Sequence, residues 1–556
     1  MCKNETETSV WWKEDVIYQI YPKSFRDSNN DGIGDITGII EKLDYLKDLG
    51  ITMLWVSPFY RSPMADNGYD ISDYYDINPD FGTMSDFDVL IEKAKSKGIK
   101  IMVDLVINHT SDEHEWFQKA ISNPSSKYRD YYIIKPSNNG LPPNNWRSIF
   151  GGSAWTKIEG EDNYYLHVFD KKQPDLNWEN PALRQEIYRM VNWWLDKGIA
   201  GFRIDAITFI KKDQDFASIP VDGADGLGSI KYKSRNRPGI EEFLLELREN
   251  TFDCHPCVTV GEAPGVSKDD YGKFIGQDGF FNMIFDFHAA DLDVESGTEW
   301  FKRTQWQTKD LREHLFSTQH AFQTHGWGTT FIENHDQPRA LSKLIKNANY
   351  RDQTGAKCLA VLYFFLQGTP FIYQGQEIGM TNFKRESIDE FDDISSIDNY
   401  HRSVLEGYSE AEALEFVNLR SRDNSRTPIP WENTINGGFN KGYPTWLGLS
   451  HSEYTINVED QIKDPESVLN FYKSMIKIRN HQYPDALIYG EFVPLDTTEN
   501  IIAYKRLGSK ETFFIITNLS DEIVPFTLPD GNILLNNYKE TYSQLQPYQT
   551  LLIKGL

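Results

Sequence analysis

Apolar residues recur along this chain in two spacings. Short runs rich in β-branched and aromatic residues are "VIYQIYP", "ITMLWVSP", "KIMVDLVINH", "GFRIDAI", "CVTVGEA", "FFNMIFDF", "TTFIENHD" and "TPFIYQGQEIG". Each predicts a strand. Between them, apolar residues fall three and four apart, as on one face of a helix. "DITGIIEKLDYLKDLG" opens on Asp35 as N-cap and stops at Gly50. "SDFDVLIEKAKSKG" is bracketed in the same way by Ser85 and Gly98. "NPALRQEIYRMVNWWLDKG" starts from Asn180 with Pro181 in its first turn and ends at Gly198. "GIEEFLLELREN", "KDLREHLFSTQHAF", "DQTGAKCLAVLYFFLQG" and "DPESVLNFYKSMIKIRN" continue the series.

Eight strands alternating with a similar number of helices predict an α/β fold, a (β/α)8 TIM barrel. The third and fourth strands lie far apart, and residues 105–175 between them are turn-rich and aromatic. A stretch that long reads as an inserted subdomain rather than a loop. A second irregular stretch covers 380–460. After residue 482 the pattern becomes "LIYGEFVPL", "NIIAYKRL", "ETFFIITNL" and "YQTLLIKGL", a C-terminal antiparallel β-domain. The expected divisions are a barrel over 1–104 and 176–481, an insert over 105–175 and a β-sandwich over 482–556.

Composition narrows the function. Of 556 residues, 57 are Lys or Arg and 82 are Asp or Glu, so the net charge is −25. That field argues against nucleic acid and anionic membranes as partners. The N-terminus lacks an apolar signal region, and no run of about 18 apolar residues occurs, so a cytoplasmic protein without a membrane span is expected. Four cysteines make no disulfide framework, and "CHPC", Cys254 to Cys257, reads as a strand-edge coincidence despite its redox-motif spacing.

The candidate chemistry lies at strand C-termini, where such barrels keep their active groups. Asp104, Asn108 and His109 end the third strand, Arg203 and Asp205 lie on the fourth, Glu262 ends the fifth, and His335 and Asp336 end the seventh. Acids from several strands thus converge on one rim. Paired carboxylates are what glycosidic cleavage needs, one a nucleophile or base and the other a protonated acid. Arg203 and Asp205 share a strand face, so the cation should lower the pKa of Asp205. Partial burial should raise that of Glu262.

"DSNNDGIGD" looks like the front half of a calcium loop, with Asp27, Asn29, Asp31 and Asp35 at alternating positions and the Ile33 carbonyl at the seventh. The closing bidentate Glu is replaced by Gly38. A sensor is therefore excluded. A structural clip for one cation and a polar turn capping the first helix both remain.

"DLVINHT", "GFRIDAI", "VGEAPG" and "FIENHDQPR" resemble the four motif regions of the α-amylase family, glycoside hydrolase family 13. "GYDISDYYDI", "GSAW", "QPDLNWENP" and "SRDNSRTPIPW" bring the resemblance nearest to its oligo-1,6-glucosidase and α-glucosidase group. The resemblance implies Asp205 as nucleophile, Glu262 as general acid/base and Asp336 as the third acid. It implies Arg203, His109 and His335 around the same sugar, and Asp66 and Tyr69 at its non-reducing end. Arg422, rather than Arg426, would pair with that wall, and Phe169 and Gln173 would face the pocket from the insert. It also implies Ca2+, with Mg2+ as the alternative, on Asp27, Asn29, Asp31, the Ile33 carbonyl and Asp35. The expected substrate is a small oligosaccharide, and the expected state a monomer or weak homo-oligomer.

The linkage signals conflict. Gln173 in "QPDLN" resembles the α-1,6-cleaving subgroup. Ala206, directly after the nucleophile, stands where Val goes with α-1,6 preference in relatives, and it leaves room for a 1,4-linked sugar. Activity on both linkages, and less on sucrose, is expected. The alternatives are a sucrose isomerase, a trehalose-6-phosphate hydrolase using the basic "KYKSRNR", and a non-catalytic scaffold of the same family.

Overall fold

A computed structural model describes residues 10–295, 298–449, 456–539 and 544–556. Cys2 and most of the N-terminal stretch read for a signal lie outside the described residues. All eight predicted barrel strands form. They are β1 (Ile17–Ile20), β2 (Met53–Val56), β3 (Lys100–Val106), β4 (Gly201–Asp205), β5 (Val258–Glu262), β6 (Met283–Phe285), β7 (Thr329–Thr330) and β8 (Thr369–Tyr373). They pair in parallel in the order β6-β5-β4-β3-β2-β1-β8-β7. Thr329 Oγ1 donates to the Ile284 carbonyl at 3.2 Å and joins β7 to β6, closing the ring.

The period-two alternation explains both the barrel's stability and its chemistry. Outward residues such as Tyr18, Leu54, Val103, Phe202 and Ile204 pack into the main core. Inward residues Ile17, Met53, Met102, Val258, Met283 and Phe371 fill the barrel as a dry plug. On β3 and β4 the next inward positions toward the C-terminal rim are polar, for Asp104 follows Met102 by two and Arg203 and Asp205 follow Gly201. Side chains alternate faces along a strand, so the same parity that buries the plug aims the charges into the rim.

The helices form where periodicity predicts them, with two differences of boundary. The first predicted helix is two, Ile36–Glu41 and Leu43–Leu49, broken at Lys42; Asp35 caps the first by accepting from Gly38 N at 2.6 Å. The next helix is capped by Thr83 rather than Ser85, because Thr83 and Asp86 form a reciprocal capping box. Asn180 caps Pro181–Asp196 as expected.

The stretch between β3 and β4 carries a three-stranded antiparallel sheet of Ile134–Pro136, Asn163–Leu166 and Trp155–Lys157. Bridges His109 to Asp175 and Tyr132 to Leu176 tie its root together. The stretch from 380 to 460 is less irregular than its composition suggests. It holds helices Ile394–Leu405 and Glu410–Arg420, capped by Asp393 and Ser409. Their polar faces hide the period.

Near the C-terminus, Glu491–Pro494 (β9), Ile501–Leu507 (β10), Thr512–Asn518 (β11), Gly531–Asn536 (β12) and Thr550–Gly555 (β13) form an antiparallel sheet in the order β9-β10-β11-β13-β12. It docks on the buried helix Gln353–Phe364, where Tyr504 Oη donates to the Leu362 carbonyl at 3.0 Å.

Candidate active site

Arg203 is the hub of the rim. Its register partner across β3 is Asp104, and Nη1 donates to Asp104 Oδ1 at 2.6 Å and to Asp205 Oδ1 at 2.7 Å. Nη2 donates to Glu262 Oε2. Trp55 Nε1 holds the other Asp104 oxygen at 2.7 Å. Three carboxylates from three adjacent strands therefore share one buried guanidinium.

Electrostatics partly overturns the expectation for Asp205. Burial outweighs the attraction of Arg203, Asp104 and Asp336 add like charge, and Asp205 is pushed up to about 7. Burial likewise pushes Glu262 up to about 7 against Arg203, with Asp205 and Asp336 adding to the rise. Carboxylates this close titrate as a unit, so the rim retains a proton near neutral pH.

Asp336 behaves differently. Burial disfavours its charge, but the surrounding groups hold it below the usual carboxylate range. Its neighbour His335 is kept neutral by burial, so the arginines carry that effect. Arg426 Nη2 lies 2.9 Å and Arg422 Nη1 3.3 Å from Asp336 Oδ1. Both arginines of "SRDNSR" thus reach Asp336.

Arg422 Nη2 also pairs with Asp66 Oδ1 at 2.8 Å and with Asp393 Oδ1 at 2.6 Å. Gln173 Nε2 donates to the other Asp66 oxygen at 3.1 Å. His109 Nε2 donates to the Tyr69 carbonyl at 3.0 Å, and Tyr69 stacks on His335 with ring centroids 5.3 Å apart. Gln19 Nε2 donates to His335 Nδ1 at 2.8 Å and so orients Nε2 toward Asp336.

These groups surround a cavity of about 610 Å³, the size of a small-ligand site. Asp66, Tyr69, His109, Phe169, Asp205, Ala206, Glu262, Asp336 and Arg422 line it directly. Gln173, Arg203 and His335 stand behind that wall and hold its members. Ala206 adopts φ 42°, ψ 35°, a left-handed conformation at the turn leaving the strand. Phe150, stacked under the Arg422 guanidinium at 5.1 Å, is a wall residue that no motif marked. Asp393 was equally hidden, since its only sequence signal is the start of a polar helix.

The loop Asp27–Asp35 contributes nothing to the cavity wall. Asp27 Oδ2 accepts from Gly32 N at 2.8 Å and from Asn440 Nδ2 at 3.0 Å. Asp35 accepts from Ser28 N at 2.9 Å as well as from Gly38 N. Among the described residues, no three His, Cys, Asp or Glu side chains converge as a metal site. The donor chemistry nevertheless suits a hard cation, being all oxygen. Burial raises the pKa of Asp35, and the charge of Asp27 adds to that rise, a cost that a cation would relieve. Each thiol of "CHPC" approaches a backbone carbonyl at 3.7 Å, and burial pushes Cys257 up to about 12, which disfavours its thiolate.

The alpha-amylase catalytic-domain model matches residues 19–490. The chain belongs to the alpha-amylase family. An oligo-1,6-glucosidase of Parageobacillus thermoglucosidasius is 44% identical over 543 residues, 95% of each chain. A trehalose-6-phosphate hydrolase of Bacillus subtilis is 41% identical over 99% of each. The crystal structure of an isomaltulose synthase from Klebsiella sp. LX3 superposes with a TM-score of 0.92 at 39% identity, covering 99% of this chain and 100% of that one. Membership accounts for the rim, because alpha-amylase family motifs fall on β3, β4 and β5, whose ends meet at Arg203, and directly after β7, where Asp336 joins the same cavity. Among the described residues, no helix is long and apolar enough to cross a membrane.

Proposed function

We propose that the protein is a retaining, exo-acting α-glucosidase. It releases glucose from the non-reducing end of isomalto- and malto-oligosaccharides, with sucrose a poorer substrate. The observation that carries this reading is Arg203, whose neighbouring nitrogens hold Asp205 and Glu262 side by side. Carboxylates bridged by one guanidinium are close neighbours, which favours the spacing of about 5–5.5 Å that goes with retention over the wider one that goes with inversion.

In this reading Glu262 protonates the glycosidic oxygen while an Asp205 oxygen attacks the anomeric carbon. The leaving sugar departs with that proton, and a β-glucosyl ester remains on Asp205. Glu262 then takes a proton from water, the water oxygen bonds to the anomeric carbon, and Asp205 is released. Two inversions return the α-configuration. Asp336, held ionised, accepts hydrogen bonds from hydroxyls of the reacting ring. The buried Asp66–Arg422 pair closes the far end, so only a chain terminus enters.

Half of the basic cluster is withdrawn from any phosphate site, because Lys233 and Arg237 are occupied by Asp213 and Asp215. The presence of Asp205, Glu262 and Asp336 together on the wall of one cavity argues against a scaffold without activity. A calcium ion on Asp27, Asn29, Asp31, the Ile33 carbonyl and Asp35, or magnesium in its place, belongs to the same reading. It would pin this loop to residues near Asn440 and take no part in the chemistry. Chelation should lower the melting temperature by a few degrees, and an unchanged value in metal-free protein would remove the ion from the account. A cytoplasmic monomer or weak homo-oligomer completes the reading.

The test is kcat/KM for glucose release from isomaltose and maltose in parallel. Comparable rates fit the open turn at Ala206. A strong isomaltose preference would give specificity to the Gln173 motif, and no release from either would reject the glucosidase.

A further inference from the structure

The glucosidase reading explains the closed end of the cavity and leaves its open side without a role. Of the four cations in "KYKSRNR", Lys233 and Arg237 are ion-paired on the surface, while Lys231 and Arg235 line the cavity. Among the described residues, the Arg235 side chain has no hydrogen-bond or ion-pair partner, and its one charged or polar neighbour of note is the Tyr232 phenol. Tyr232 itself is 60% exposed beside the mouth.

Arg235 is fixed from both catalytic loops. Asn236 N donates at 2.8 Å to the Thr208 carbonyl, in the turn that follows Asp205. Thr208 Oγ1 donates at 2.9 Å to the Pro264 carbonyl, in the loop that follows Glu262. Gly265, at φ +80°, lets the guanidinium lie on that loop, for a Cβ there would meet Arg235 Nε at 2.6 Å. The general acid meets the leaving group on this side. A half-buried guanidinium without an acceptor is costly unless a ligand supplies one.

The ligand's charge follows from the surroundings. The same mouth carries Asp286, Glu295 and Glu299, and Lys231 lies close enough to Glu299 to help hold its charge. Such a mixed wall disfavours an anion and suits a neutral polyol, whose hydroxyls both donate and accept.

We propose that Arg235, with Lys231 and Tyr232, forms the wall that binds the leaving-group sugar. Arg235 recognises hydroxyls of a neutral glucosyl unit, and Tyr232 stacks on the unit beyond it. This rests on the glucosidase reading and adds the feature that selects the departing half of the substrate.

The test compares kcat/KM for isomaltose, for isomaltotriose and for p-nitrophenyl α-glucoside, whose leaving group carries no sugar hydroxyls. R235A should lower the isomaltose-to-aryl ratio about tenfold or more, as loss of a charged hydrogen bond does. R235K should restore little of it, since the planar fork is lost. Y232A should lower the isomaltotriose-to-isomaltose ratio about threefold. Equal losses on isomaltose and the aryl glucoside would reduce Arg235 to a structural part and overturn the proposal. So would a wild-type preference for trehalose 6-phosphate over isomaltose that R235A abolishes, because the wall would then serve an anion. Failure of the wild type on both isomaltose and the aryl glucoside would instead reject the glucosidase reading, and the proposal with it.

Discussion

Arg203 and Arg506 are both fully buried, yet they do opposite work. Arg506 lies where the C-terminal sheet meets the barrel and donates only to backbone carbonyls: Phe365 at 2.7 Å, Leu487 at 3.1 Å, Ile488 at 2.9 Å and Gly490 at 2.9 Å. Among the described residues no carboxylate offsets its burial, which pushes it down to about 10. Arg203 suffers the same burial, but Glu262, Asp104 and Asp205 outweigh it and strengthen its hold on the proton. One guanidinium satisfies dipoles and fastens two parts of the fold. The other gathers charges that repel one another and keeps them poised. Burial of an arginine is therefore no sign of function, and its partners decide.

The comparison can be broken in order of effect. Asp205→Asn should remove at least about three orders of magnitude of kcat with little loss of stability, because it relieves like charge on the rim. Activity within tenfold of wild type would dissolve the contrast. Next, Arg506→Met should cost about 3 kcal/mol of unfolding free energy by leaving several carbonyls unpaired, with the pH profile of activity unaltered. Arg203→Lys should do the reverse, cutting kcat/KM about a hundredfold for a smaller loss in denaturant titration.

The pH profile sharpens the same contrast. The active rim needs Asp205 ionised and Glu262 protonated. With both pushed up to about 7, kcat/KM should form a narrow bell near neutrality. It falls at higher pH as Glu262 loses its proton, and at lower pH as Asp205 gains one. Glu262→Gln should leave a low rate without the alkaline limb, and survival of that limb would assign the acid elsewhere. The smallest effect is expected at Ala206. A β-branched side chain is strained at its φ of 42°, so Ala206→Val should lower maltose turnover relative to isomaltose several-fold. An unchanged ratio would detach linkage choice from this turn.

Much of this was legible in the sequence, for identifiable reasons. Arg203 and Asp205 stand two apart on one strand, so parity puts them on one face, and Asp104 reaches the same rim as the end of the neighbouring strand. Asp35 and Asn180 were readable as caps because capping is local. Thr83 was missed for Ser85 because two hydroxyl residues lay within one turn of the start, and only the closing Asp86 discriminates. Asp393 and Phe150 reach the site from distant segments, and no local pattern encodes such contacts. The sign for Asp205 was misjudged for a related reason. A neighbouring Arg is visible in sequence, whereas the burial that outweighs it belongs to the folded rim.

Asp205 and Glu262, held on one arginine, should act by double displacement. Proton NMR of the glucose released from p-nitrophenyl α-glucoside, read before mutarotation, tests this most directly, since that glucose carries only the attacked anomeric carbon. The account predicts the α-anomer. Release of the β-anomer would show a single inversion and contradict it.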